Sequence, residues 1–181
     1  MILIGFMGAG KSCVGRALAA ALGWAFEDLD DRIEENAGRT IAEVFRESGE
    51  AEFRRLEHAA LKSLAGESGL HGECVIALGG GAFIQEANSK LIEAWGVPTI
   101  FLDAEVEELW NRCQGQALDA GSERPLLKDR EQFRALYELR RPHYLKASLR
   151  QETGGKPVAQ VAAELIRAVK LKRSRSEGDK K

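Results

Sequence analysis

One segment near the amino terminus combines glycines, a lysine and a serine at the spacing of a phosphate-binding loop. Residues 5–12 read Gly-Phe-Met-Gly-Ala-Gly-Lys-Ser and fit G-x-x-x-x-G-K-[ST] at every fixed position. Glycines allow backbone N–H groups to surround phosphate oxygens, and the amino terminus of a following helix also favours anions. Lys11 would place its cation on the β- and γ-phosphates, and the Ser12 hydroxyl could bind Mg²⁺. The motif predicts nucleotide binding.

Nucleotide binding alone does not identify the reaction, because a switch GTPase, an ATPase module and a small-molecule kinase all bind nucleotides. A GTPase is expected to carry an N/T-K-x-D motif that reads guanine, and the sequence has none. The chain of 181 residues is little longer than one nucleotide-binding domain, which leaves little mass for a motor or a large partner surface.

Two aspartates, Asp28 and Asp30, follow the second predicted strand, at the sheet edge where parallel α/β folds bind ligands. Strand alternation would place both carboxylates on one side. One could hold Mg²⁺ through water, and the other could accept a proton from an acceptor hydroxyl. The alternative is a solvated acidic loop, since Asp31 continues the acidic run.

Two further features could recognise an anionic acceptor. Arg54 lies on a predicted helix and could bind a carboxylate with a guanidinium fork, although an i, i+3 salt bridge with Glu57 is the alternative. The glycines 79–81 follow a predicted buried strand and would let a substrate lie directly against the backbone.

Two arginines of the carboxyl-terminal half are also candidates. Arg140 continues the apolar stripe of a predicted helix, so we expect it to face inward and to need a counter-anion from the fold or from a substrate. Arg124 lies in a long predicted loop and could close over the nucleotide. A surface arginine on a mobile loop is the competing interpretation.

Short apolar runs alternate with helical patterns, an order typical of a parallel α/β sheet. Strands are predicted at 2–4, 24–26, 74–78, 99–102 and within 149–153. Longer helices are predicted at 11–22, 51–64, 131–149 (with a break near Pro142) and 157–171. Thr40 and Glu43 predict a capping box at another helix start. Residues 114–129 are predicted to be a loop and the charged residues 172–181 a disordered tail.

The composition excludes several classes of protein. Basic and acidic residues number 26 and 28, and this balance argues against broad neutralisation of nucleic-acid phosphates. No apolar run reaches the roughly 20 residues that span a bilayer. Three scattered cysteines, Cys13, Cys74 and Cys113, favour a reducing compartment. We therefore expect a cytoplasmic protein that binds neither nucleic acid nor membrane.

Several motifs together resemble the shikimate kinase family. They are the segments 5–12, 28–30, 33–34, 38–41 and 49–54, the glycines 79–81, the segment 124–127, and Arg140 with Pro142 and Tyr144. They occur in order from residue 1 to about residue 170. Because independent motifs agree, the resemblance is far more specific than the phosphate-binding loop alone.

The resemblance implies a three-layer α/β/α P-loop fold with a five-stranded parallel sheet in the order 2-3-1-4-5. It implies phosphoryl transfer from ATP, with Mg²⁺, to the 3-hydroxyl of shikimate, on the route to chorismate and the aromatic amino acids. Residues 1–171 would form a single kinase domain, with substrate-binding helices at about 31–64 and a lid at about 114–128. We expect a monomer acting on a small-molecule substrate.

The resemblance also implies roles for individual residues. The residues implied to act in catalysis are Lys11, Asp30 and Arg124. The residues implied to bind the nucleotide are Gly8, Ala9, Gly10, Lys11, Ser12, Cys13 and Arg124. The residues implied to bind shikimate are Asp30, Arg54, Gly79, Gly80, Gly81 and Arg140, and those implied to bind the metal are Ser12 and Asp28.

The sequence departs from the family pattern at Cys13, where threonine is usual, and in a lid segment longer than that of compact members. No adenine-contacting residue is assigned. Two alternative functions stay open: a kinase of another small acid such as gluconate, and a nucleotide-binding regulatory module that has lost catalysis.

Overall fold

The structure, a computed structural model, describes residues 1–66, 73–120 and 129–178, and the side chains of 1–64, 73–115 and 129–169. Its strands are β1 (Ile2–Ile4), β2 (Ala25–Asp28), β3 (Cys74–Ala77), β4 (Thr99–Asp103) and β5 (Leu149–Glu152). Its helices are α1 (Lys11–Leu22), α2 (Leu29–Ala37), α3 (Ile41–Gly66), α4 (Glu86–Ala94), α5 (Val106–Ala120), α6 (Arg130–Tyr144) and α7 (Val158–Gly178). Among the described helices, none is both long enough and apolar enough to cross a membrane.

The five strands form one parallel sheet in the order β2-β3-β1-β4-β5, which confirms the predicted fold. The central strand β1 pairs Ile2 with Ile76 of β3 and Ile4 with Phe101 of β4. The strands β1 and β3 are buried along their whole length, which explains their continuous apolar sequences. The edge strand β5 alternates between half-buried and exposed residues.

The carboxyl ends of the parallel strands meet at one edge of the sheet. There β1 leads into the phosphate-binding loop (residues 5–12), and β2 ends at Asp28. On either side of β1, β3 leads into the glycine turn (residues 79–81) and β4 ends at Asp103. Ligands of parallel α/β folds bind at this edge, so the sheet itself brings the candidate residues together.

The start of α3 is fixed by the predicted capping box. The backbone N–H of Glu43 donates to Thr40 Oγ1 at 3.2 Å, and the Thr40 N–H donates to Glu43 Oε2 at 2.8 Å. Gly49 then interrupts the helix with φ 77° and ψ 179°, a backbone conformation suited to glycine. The chain changes direction there, just before the part of α3 that carries Arg54.

We expect Thr40→Ala to lower the free energy of unfolding by about 1 kcal/mol, because it removes the side-chain acceptor of the Glu43 N–H. Denaturant unfolding followed by circular dichroism measures the change. Thr40→Ser keeps the hydroxyl and is the matched control, expected to stay within about 0.5 kcal/mol of the unsubstituted chain. Equal losses in the two variants would contradict the capping role.

Three predicted boundaries are wrong. α5 continues to Ala120, although a loop was predicted from residue 114, and α7 continues to Gly178, although 172–181 were predicted to be disordered. Both extensions are rich in residues with good helix propensity, which a search for apolar periodicity overlooks. α6 ends at Tyr144, so residues 145–149 are not helical as predicted, whereas the predicted break near Pro142 agrees with this end, since proline removes a helical N–H donor.

Candidate active site

The lysine of the phosphate-binding loop folds back and hydrogen-bonds the backbone of the same loop. Lys11 Nζ donates to the carbonyl oxygens of Gly5 and Phe6, both at 3.1 Å, so the cation lies over the loop that would hold phosphates. Gly8 has φ 78°, and a Cβ there would lie 2.6 Å from a carbonyl oxygen of α5. The loop therefore requires glycine at this position both for its conformation and for its close packing on α5.

The other predicted nucleotide-binding residues adjoin this loop. Ala9 is buried, and Gly10 is the residue that precedes α1. Cys13 is exposed in the first turn of α1. Arg124, predicted to lie over the nucleotide, is outside the described residues, as is the rest of 121–128.

Arg112 of α5 is a second cation at the loop that sequence reasoning missed. Its Nη1 donates to the Gly8 carbonyl oxygen at 3.4 Å, and its Nη2 donates to the Thr153 carbonyl oxygen at 2.8 Å. It also pairs with Glu108 at i, i+4, which is the spacing of an ordinary surface salt bridge. Only the tertiary fold shows that this arginine reaches the phosphate-binding loop.

Ser12 and Asp28 form a pair of oxygen donors at the start of α1. The Ser12 hydroxyl donates to Asp28 Oδ2 at 2.6 Å, while Asp28 Oδ1 accepts from the Asp30 N–H at 3.1 Å. A hydroxyl and a carboxylate side by side suit Mg²⁺, which usually completes its shell with water and phosphate oxygens. Across the described residues, no cluster of three or more His, Cys, Asp or Glu side chains could hold a metal by itself.

Asp30 faces the glycine turn, but not through strand alternation with Asp28 as predicted. Asp28 ends β2 and caps α2, and Asp30 lies in the first turn of α2. A Cβ built on Gly79 would lie 2.7 Å from Asp30 Oδ1. Burial raises the pKa of Asp30, the Asp28 charge adds to this rise, and Lys11 opposes it. The carboxylate thus lies between the phosphate-binding loop and the glycine turn.

Arg54 makes the predicted salt bridge with Glu57 and also reaches the glycine turn. Its Nη1 lies 2.9 Å from Glu57 Oε2, and its Nη2 lies 3.0 Å from Glu50 Oε1. Glu57 is only 1% exposed, whereas the Glu50 side chain is 66% exposed. A Cβ on Gly81 would lie 2.7 Å from Arg54 Nη1. The salt bridge therefore fixes Arg54 in a position where it faces the turn.

Glu57 is a site residue that sequence reasoning treated only as a salt-bridge partner. Burial raises the pKa of its carboxyl, and the Arg54 charge opposes the rise. It also faces the turn, since a Cβ on Gly79 would lie 3.4 Å from Glu57 Oε1. Its i, i+3 spacing from Arg54 indicated the pair, but not its burial.

Arg140, on α6, approaches the glycine turn at Gly80, whereas Arg54 approaches it at Gly81. The Arg140 Cζ lies 5.8 Å from the centroid of the Phe6 ring, and its Nη1 would lie 3.8 Å from a Cβ on Gly80. Tyr144, one turn further along α6, donates its hydroxyl to the Gly80 carbonyl oxygen. Within the described residues no carboxylate forms an ion pair with Arg140. Its guanidinium hydrogen-bonds the Tyr144 hydroxyl, and its charge acts on the Glu57 carboxyl. A guanidinium has further N–H donors that an anionic ligand could use.

The described residues place the carboxylates of Asp30 and Glu57 and three cations around the phosphate-binding loop and the glycine turn. Lys11 lies on the phosphate side, Asp30 lies between, and Arg54 and Arg140 flank the glycine turn. This arrangement can hold an anionic acceptor next to a nucleotide phosphate and offers a carboxylate to an acceptor hydroxyl.

Comparisons with known proteins agree on one family. The family model described as shikimate kinase matches residues 7–170. A shikimate kinase of Cereibacter sphaeroides is 42% identical over 173 residues, which cover 93% of this chain and 81% of that protein. One of Persephonella marina is 38% identical, over 91% of this chain and 94% of that protein. The solved structure of shikimate kinase from Acinetobacter baumannii in complex with shikimate aligns with a TM-score of 0.82 at 32% identity, covering 93% and 90% of the two chains.

Proposed function

The chain belongs to the shikimate kinase family, and from this premise we propose that it transfers the γ-phosphoryl group of ATP to the 3-hydroxyl of shikimate. The observation that carries the proposal is the arrangement of Asp30, Arg54 and Arg140 around the glycine turn, beside the phosphate-binding loop. Shikimate is a polyol with one carboxylate, so it requires cations at one end and a base at the other. A neutral sugar would not require the arginine pair.

Lys11 and the backbone of the phosphate-binding loop hold the phosphates of ATP in this proposal. The Lys11 ammonium group stabilises negative charge on the transferring phosphoryl group, and the N–H groups at the start of α1 bind phosphate oxygens. Arg124, which lies outside the described residues, would add a further cation on the phosphoryl group, as the family resemblance implies. These groups act chiefly by position and charge, since phosphoryl transfer needs little covalent chemistry from the protein.

Ser12 and Asp28 would hold Mg²⁺, because they already place a hydroxyl and a carboxylate oxygen 2.6 Å apart. The ion, when bound, neutralises charge on the β- and γ-phosphates. The second Asp28 oxygen accepts the Asp30 N–H, so the same side chain orients the first turn of α2.

Asp30 is the proposed proton acceptor. The bond from the acceptor oxygen to the γ-phosphorus forms while the bond from that phosphorus to the bridging oxygen of ADP breaks, and the hydroxyl proton passes to the Asp30 carboxylate. The closeness of Asp30 to Gly79 and its interaction with the Lys11 charge support this role, since the carboxylate would then lie between the bound acceptor and the phosphates of ATP.

Arg54 and Arg140 bind the carboxylate of shikimate from two sides. Arg54 keeps its buried partner Glu57 and exchanges the exposed Glu50 for the substrate, because a solvated carboxylate is easily displaced. Gly80 and Gly81 leave the space between the two guanidinium groups free of side chains.

Gly81→Ala is expected to raise the KM for shikimate about 10-fold with little change in the KM for ATP. The backbone of Gly81 (φ −102°, ψ −16°) accepts alanine, but the new Cβ would lie 2.7 and 2.8 Å from the two Arg54 terminal nitrogens and displace them. Steady-state kinetics measure both constants. Gly115→Ala is the control, since a Cβ at Gly115 would meet nothing within 4 Å beyond its chain neighbours and the backbone of its own helix. An unchanged KM for shikimate in both variants would oppose the role of Arg54.

The direct assay of the proposal is ADP release from ATP with shikimate, with gluconate and with no acceptor. We expect rapid release with shikimate alone. Turnover with gluconate alone would support a kinase of another small acid, and nucleotide binding without acceptor-dependent release would support the regulatory alternative. The monomeric state and the cytoplasmic location expected from the sequence stay predictions.

A further inference from the structure

A buried carboxylate lies at the end of β4, outside the groups assigned above. Asp103 is 2% exposed. Its Oδ2 accepts from Arg141 Nη2 at 2.8 Å and from Arg150 Nε at 2.9 Å, and its Oδ1 accepts from the Tyr137 hydroxyl at 3.0 Å. The two guanidinium groups and the hydroxyl compensate for the loss of water around this carboxylate.

Two of the three partners of Asp103 come from the same turn of α6. Tyr137 and Arg141 are four residues apart, and Arg141 Nε donates to the Tyr137 hydroxyl oxygen at 3.0 Å. A single carboxylate therefore holds both ends of that turn against the carboxyl end of β4. The Tyr137 contact is buried and the Arg141 contact is charged and partly buried, so together they help to fix the rotation of α6 about its axis.

The same turn carries Arg140. Residues three or four apart lie on one face of a helix, so Arg140 shares the inward face of α6 with Tyr137 and Tyr144. The Tyr137 ring packs 5.5 Å from the Phe6 ring, over which the Arg140 guanidinium also lies. Arg140 also hydrogen-bonds the Tyr144 hydroxyl, and Tyr144 belongs to the same helix, so the direction of Arg140 depends on how α6 is held.

We propose that Asp103 is a positioning residue for the acceptor carboxylate: through Tyr137 and Arg141 it holds α6 so that Arg140 faces the glycine turn. This inference rests on the proposed function, in which Arg140 binds the carboxylate. Asp103 itself touches neither substrate. Its loss should weaken acceptor binding while leaving the phosphate-binding loop unaffected.

The first test is Asp103→Asn, which keeps the shape of the side chain and removes its charge. We expect the KM for shikimate to rise about 10-fold, with the KM for ATP and kcat changed less than about twofold. Arg150→Ala is the matched control, because it removes the partner of Asp103 from β5 and leaves both α6 contacts in place. It should lower the melting temperature without raising the KM for shikimate.

A double-mutant cycle separates positioning from general destabilisation. In an Arg140→Ala background, Asp103→Asn should change kcat/KM for shikimate less than about twofold, because the group it positions is gone. Full additivity of the two losses would overturn the inference. So would a lower melting temperature with unchanged shikimate KM, or an equal rise in that KM for Arg150→Ala.

If Asp103→Asn does not fold, Tyr137→Phe decides the question. It removes one hydrogen bond to Asp103 and keeps the ring against Phe6. We expect Tyr137→Phe to raise the KM for shikimate about threefold. In the Arg140→Ala background the same substitution should leave that KM unchanged. An unchanged KM for Tyr137→Phe alone would overturn the inference. Failure of the unsubstituted enzyme to use shikimate would instead overturn the proposed function, and with it this role.

Discussion

Asp30→Asn is expected to lower kcat about 10²- to 10⁴-fold while the KM for shikimate changes only a few-fold. Asparagine keeps the size of the side chain and one oxygen acceptor for the substrate hydroxyl, but it cannot take the proton at neutral pH. The loss should therefore appear in the chemical step and not in binding. Steady-state kinetics with shikimate and ATP varied in turn measure this directly.

Asp31→Asn is the matched control for this variant. Asp31 is the next residue of α2, and its exposed carboxylate pairs with the exposed Arg16 at 3.4 Å. Such a surface pair contributes at most about 1 kcal/mol to stability and should not affect turnover. A kcat for Asp30→Asn within about threefold of the unsubstituted enzyme would show that another group takes the proton.

Arg54→Ala is expected to raise the KM for shikimate about 30- to 1000-fold, with a smaller effect on kcat. The substitution removes a guanidinium that would form two charge-assisted hydrogen bonds with the substrate carboxylate. The KM for ATP should stay close to its original value, because Arg54 faces the glycine turn and not the phosphate-binding loop.

Two further variants make this experiment specific. Arg55→Ala removes the neighbouring arginine, which is exposed and pairs with Glu52, and it should leave the KM for shikimate unchanged. Arg54→Lys keeps a positive charge for the buried Glu57 but loses the planar fork, so it should retain stability and still raise the KM. A KM unaffected by Arg54→Lys and Arg54→Ala alike would contradict carboxylate binding at this position.

The parts of the site that local sequence determines were predictable. The phosphate-binding loop has a fixed spacing of residue types, and the buried strand β3 is a continuous apolar run followed by three glycines. Knowing that both lie at carboxyl ends of parallel strands was enough to expect them at one sheet edge. The capping box of α3 was equally predictable from the sequence, since its two residues are only three positions apart.

The predictions were wrong or incomplete where the structure depends on contacts between residues far apart in the sequence, or on weak local signals. Strand alternation was expected to continue through Asp28 and Asp30, but the boundary between β2 and α2 falls between them without a loop. The buried contacts of Asp103 join β4, α6 and β5, residues 34 to 47 positions apart, and no pattern of residue types predicts them. Arg112 reaches Gly8 across 104 positions for the same reason.

Phosphorylation of shikimate at its 3-hydroxyl is tested most directly by identifying the product. The enzyme would be incubated with MgATP and equal amounts of shikimate and gluconate, and the products analysed by phosphorus–proton correlation NMR. We expect one new phosphate ester, whose phosphorus couples to the proton on carbon 3 of shikimate, and unmodified gluconate. A phosphate ester on gluconate, or on another hydroxyl of shikimate, would contradict this expectation.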